Sequence, residues 1–128
     1  MPGTLHIENF KEYLRRMWSS DMDTDLRTSL TKAGFTIRVT DERWIHITES
    51  HDYMAGYLDH VIETVEDPDW LVKGWTDEII AIKQYLVSSS VKKYLVVVYK
   101  DLPDGFVITA FMTSKHEKIL KRGIIWEK

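Results

Sequence analysis

The chain has 128 residues, 20 acidic against 17 basic side chains for a net charge of −3, five histidines and no cysteine. That length allows one domain burying about two-thirds of its unfolded surface, and the missing cysteines exclude a disulfide scaffold and a thiol nucleophile. No apolar run approaches the ~20 residues of a membrane span, and no basic segment followed by an apolar one opens the chain, so a cytoplasmic protein is expected.

Ile7, Phe10, Leu14, Met17 and Trp18 recur at helical spacing and predict a first helix over residues 5 to 19. Asp21, Asp23 and Asp25 are spaced like calcium-loop ligands, but Leu26 stands where that loop needs Gly and Lys32 where it needs Glu. A second short helix from Thr24 to Lys32, stopped by Gly34, is the simpler expectation. Phe35 to Val39 alternates like a strand. Thr40 or Asp41 then caps a helix of about nine residues, with Trp44 and Ile45 or Ile47 facing inward. Met54, Leu58, Val61 and Val65 form the apolar stripe of a longer helix, which Asp67-Pro68 ends.

Trp70 to Lys73, Glu78 to Leu86, Tyr94 to Lys100 and Phe106 to Thr113 read as strands, the last two joined by a tight turn around Pro103-Asp104-Gly105. Parity gives one apolar face, Leu95, Val97 and Tyr99 with Phe106, Ile108, Ala110 and Met112, suited to a covering helix. The other face mixes Val96, Val98 and Val107 with Lys100, Thr109 and Thr113, and reads as open. If Ile80, Ile82 and Leu86 join the core, Lys83 and Tyr85 share that open face. A basic connector and Gly123-Ile-Ile-Trp126 follow; Ser114 to Lys128 carries five basic and two acidic residues, so the tail is +3 and residues 1–113 carry −6. The expected architecture is α+β, with N-terminal helices packed on a four-stranded, mostly antiparallel sheet. Residues 1–35 form a helical extension and 36–128 the main domain.

The chemistry-bearing candidates are few. His46 and His51 are five apart, not the four of a zinc helix, and no metal or cofactor is expected. There is no Gly-rich phosphate loop and no nucleophile elbow. On the open face Lys83, Lys100, Tyr85, Thr109 and Thr113 could hold a phosphate, or could be ordinary strand-surface residues.

The stretches Thr40-Asp-Glu-Arg-Trp-x-His46-Ile, Ile62 to Asp69, Glu78 to Tyr85, Lys93 to Lys100, Gly105 to Thr113 and Gly123 to Trp126 together resemble the phage-associated branch of the barnase/EndoU/colicin/RelE-like (BECR) nucleases. The likeness spans roughly residues 36 to 126. It implies a toxin-like, metal-independent endoribonuclease that acts on RNA at the ribose 2′-OH, with an antitoxin or immunity protein, or a second copy of the chain, as partner. Position by position, it makes His46, His51 and Lys83 catalytic candidates and Lys100, Thr109 and Thr113 substrate-binding ones, to which the open-face reading adds Tyr85. The alternatives are a catalytically inactive interaction module of the same fold, and a small-ligand pocket lined by Trp44, Trp75 and Trp126.

Overall fold

The computed structural model describes residues 25–128, and the helix expected over residues 5 to 19 lies outside them. Strand β1 (Asp25–Leu30) pairs antiparallel with β2 (Thr36–Thr40). The helix expected over 24 to 32 is therefore a strand. Gly34, read as a helix stop, instead turns the hairpin with φ +96°, a conformation open to glycine in either role. Ser29 is buried in that strand, and its hydroxyl donates to the Ile62 carbonyl at 3.0 Å, an anchor that helical periodicity would not provide.

Thr40 ends β2 and caps helix α1 (Asp41–Ser50), its Oγ1 accepting from the Arg43 N–H at 3.1 Å. The stripe expected on one long helix is divided between a 3₁₀ turn (Asp52–Gly56), which buries Met54, and helix α2 (Leu58–Glu66), which buries Val61, Ile62 and Val65. Gly56 falls at the break, where helix propensity is weakest. Strands β3 (Trp70–Lys73), β4 (Glu78–Leu86), β5 (Lys92–Lys100) and β6 (Val107–Thr113), helix α3 (His116–Leu120) and β7 (Ile124–Glu127) complete the chain.

The sheet has five strands, in the order β6-β5-β4-β3-β7, and every pairing is antiparallel. This corrects the expected fold class. Among the described residues strand (43%) outweighs helix (28%), a two-stranded hairpin stands where the second N-terminal helix was expected, and the terminal segment adds a fifth strand to the sheet.

The second correction concerns the sheet faces. Leu95, Val97, Tyr99, Ala81 and Ala110 face α2 in the main core, together with Ile37 and Val39 of the hairpin. The opposite face is also buried. Val72, Ile80, Ile82, Val96 and Val98 form a second apolar layer against Ile119 and Leu120 of α3. A bulge between Val98 and Tyr99 shifts the register so that Val107, not Phe106 or Ile108, lies opposite Tyr99, while Ile108 joins the second layer. If the far face were solvated, Val96→Asp would be tolerated; it is expected to cost about 3 kcal/mol or more in chemical denaturation, because it places a carboxylate in that second layer.

Candidate functional site

Alternation along β2 sends Ile37 and Val39 into the core, leaving Arg38 partly exposed on the other side. The α1 cap turns the chain so that Trp44 and Ile47 pack inward, and Arg43, His46 and Ser50, spaced i, i+3 and i+7, share the outer face. Arg38 meets Phe106 through a parallel bridge, its N–H donating to the Gly105 carbonyl at 3.1 Å. Gly105 is required there, since a Cβ would lie 2.0 Å from the Lys100 carbonyl oxygen. The result is a concavity of about 500 Å³ lined by Arg38, Thr40, Glu42, Arg43, His46, Ser50 and Phe106.

Its two arginines are only partly committed among the described residues. Arg38 Nη1 lies 3.7 Å from Asp25 Oδ1, and its buried Nε has no hydrogen-bond partner among the described residues. Arg43 makes no ion pair among the described residues. The His46 ring sits between two carboxylates, Nε2 4.0 Å from Glu42 Oε2 and Nδ1 3.9 Å from Glu49 Oε1, with 45% of its side chain exposed. The concavity therefore presents two guanidiniums, an imidazole beside a carboxylate, two hydroxyls and an aromatic ring. Among the described residues no cluster of three or more His, Asp and Glu could hold a metal ion.

The other expected site residues are not gathered there. His51 caps the end of α1 and turns to the β6 edge, its ring 5.8 Å from those of Tyr53 and Phe111. Lys83 pairs across the sheet with Leu95, and Tyr85 with Lys93, which puts both side chains on the α2 side. Lys100 lies opposite Glu78, Thr109 opposite Val98 and Thr113 opposite Tyr94, on the other side. The expected shared face thus does not exist. That face required Ile80 and Ile82 to point toward the covering helix; Ala81, small enough to let α2 approach, does so instead, and the rest of β4 follows by parity.

Both lysines are bound to the fold. Lys83, 12% exposed, donates to the Asp67 carbonyl at 2.8 Å and its carboxylate at 3.2 Å. Lys100 donates to Asp77 Oδ1 at 2.9 Å, with Glu78 Oε2 3.7 Å away. Burial raises the Tyr85 phenol above its ordinary range, and its hydroxyl donates to Glu63 Oε1 at 2.7 Å, so it serves as a donor rather than a base. Thr113 Oγ1 accepts from the Lys115 N–H at 3.0 Å. Trp75 stands apart from Trp44 and Trp126, which pack against the main core.

No family model matches the chain, and no curated protein or solved structure matches it. Among the described residues no helix is long and apolar enough to cross a membrane. Arg38 and Arg43 were not among the expected site residues. The signal for them was present: Arg43, His46 and Ser50 fall on one helical face, and Arg38 alternates with two core residues.

The ion pairs set the acid limb of stability. Hydrogen bonds from Lys128 and then Lys83 hold the Asp67 carboxyl below its usual value, that from Lys100 does the same for Asp77, and the Thr76 N–H does so for Glu78. A depressed carboxylate stabilises the fold above its unfolded pKa, and that contribution is lost as pH falls through the folded value. The melting temperature is expected to be flat from about pH 7 to 5 and to fall below about pH 4. Asp67→Asn should flatten that acid limb, as read by circular dichroism.

Proposed function

We propose that the chain is a metal-independent endoribonuclease acting in the cytoplasm, toxin-like as its resemblance to BECR nucleases implies, with its site in the α1 concavity and not on the sheet face. The observation that carries this reading is the placement of Arg38 and Arg43 beside the His46 and Glu42 pair in one cleft. Cleavage at a ribose 2′-OH needs a base for that hydroxyl, an acid for the departing 5′-oxygen, and cations for the charge on the pentacoordinate phosphorus.

Glu42 and His46 can divide the two proton transfers, one taking the 2′-OH proton and the other protonating the 5′-oxygen. The attack forms a bond from the 2′-oxygen to phosphorus, the bond to the 5′-oxygen breaks, and a 2′,3′-cyclic phosphate is left. Arg38 and Arg43 would grip the phosphate oxygens through their forked N–H groups. Phe106 offers a flat surface to a base. Lys83 and Lys100 have no part in this, being held by Asp67 and by Asp77 and Glu78. A binding module is the rival reading, favoured by Ile124 and Ile125 of the edge strand β7, which are 46% and 55% exposed.

The test is incubation of purified protein with a labelled RNA oligonucleotide in chelator, with a DNA oligonucleotide of the same sequence as control. RNA products ending in a cyclic phosphate and intact DNA are expected. His46→Ala should slow cleavage about 10²-fold or more and Arg43→Ala about 10²-fold, with Lys83→Met near wild type after correction for lost stability. Cutting of both polymers, or full activity in His46→Ala, would contradict the proposal. An inert wild-type protein that co-purifies with a partner would favour the module.

A further inference from the structure

The second apolar layer is incompletely closed. Between β4, β5, β6 and α3 it leaves a groove of about 460 Å³, walled by Ile80, Val98, Ile108, Phe111 and Ile119. That volume suits a small molecule, and the walls offer a bound body almost nothing but hydrocarbon. The groove shares no lining residue with the α1 concavity, so it stands independently of the nuclease reading.

The mouth carries two charges in different states. Glu78 is satisfied: its carboxylate accepts from the Trp75 and Thr76 N–H groups at 3.2 and 2.8 Å and from the Thr76 hydroxyl, with Lys100 3.7 Å away. Arg122 lies over the Trp75 ring at 4.4 Å, and among the described residues its only hydrogen bond is from Nε, which donates to the Lys73 carbonyl at 3.2 Å. It makes no ion pair with a carboxylate among the described residues. The segment around it, Ser114 to Lys128, has five basic and two acidic residues. An anionic head is therefore complementary at the mouth and a cationic one is not.

We infer that this groove binds a small amphipathic anion, a medium-chain or aryl carboxylate, with its apolar body against Ile108, Phe111 and Ile119 and its carboxylate on Arg122. Thr109, expected to position a phosphate, instead lines this groove beside Ile108. Trp75, 66% exposed, lines the same groove and steadies the guanidinium through its ring face.

The experiment is an amide chemical-shift titration of the full chain with sodium octanoate and, separately, with 1-octanol. Octanoate is expected to give saturable shifts at Ile108, Phe111 and Ile119 and none at Arg43 or His46. Arg122→Gln, an exposed substitution, should weaken octanoate about tenfold and leave 1-octanol within about twofold, because it removes the charge and not the walls. Thr109→Trp, which sets an indole in the groove, should abolish both with the spectrum still dispersed. The proposal is overturned by an absence of saturable shifts, or by equal losses for the two ligands in Arg122→Gln. It is also overturned if Ile108→Glu dissociates a dimer in sedimentation, since the groove would then hold a second copy of the chain.

Discussion

Between Leu95 and Tyr99 every side chain of β5 is buried, at 0%, 1%, 0%, 5% and 0% exposure along the run. Side chains alternate across a strand, so a central strand of this kind needs a layer on each side. The α2 helix supplies one layer with Val61, Ile62 and Val65, and α3 supplies the other with Ile119 and Leu120. A buried valine or leucine contributes about 1.5–3 kcal/mol, against about 0–1 kcal/mol for an exposed ion pair. The apolar run therefore decides how the sheet is covered, and the charged residues arrange themselves around that result.

That constraint moves chemistry away from the sheet. A face closed by α3 leaves no wide surface on which lysines could meet an RNA backbone. Lys83 ties Asp67, at the end of α2, to β4, and Lys100 ties the turn before β4 to the end of β5. Arg38 and Arg43 come together with His46 where β2 leaves the hairpin and α1 begins, because Thr40 ends the strand and starts the helix with a single side chain. The same closure, left incomplete near Arg122, gives the second cavity its apolar walls.

Much of this was legible in the sequence. The Thr40 cap, the burial of Met54, Val61 and Val65, the stop at Asp67-Pro68 and the order of the last strands follow from local rules and agree with the structure, although the single helix expected from Met54 to Val65 is divided in two. Three of the readings that failed have plain physical reasons. Gly34 suits a hairpin turn as well as a helix stop, and only the pairing of β1 with β2 decides between them. Parity within β4 could place either Ile80 or Ala81 toward α2; the choice depends on helix packing distance, which a single strand does not reveal. The unbroken run Leu95-Val-Val-Val-Tyr99 was itself the sign of a strand covered on both sides, and it outweighs the polar residues at the strand ends that suggested an open face. Of the expected site, His46 stands in the concavity, whereas His51, Lys83, Tyr85, Lys100, Thr109 and Thr113 are distributed over the rest of the fold.

Two-sided burial of β5 is tested most directly by methyl-to-methyl nuclear Overhauser contacts in protein carrying labelled valine, leucine and isoleucine. Contacts from Val97 to Val61 or Val65 together with contacts from Val96 or Val98 to Ile119 or Leu120 are predicted. Val96 and Val98 methyls that meet only water, with Val97 still packed on α2, would contradict the account and return the far side of the sheet to solvent.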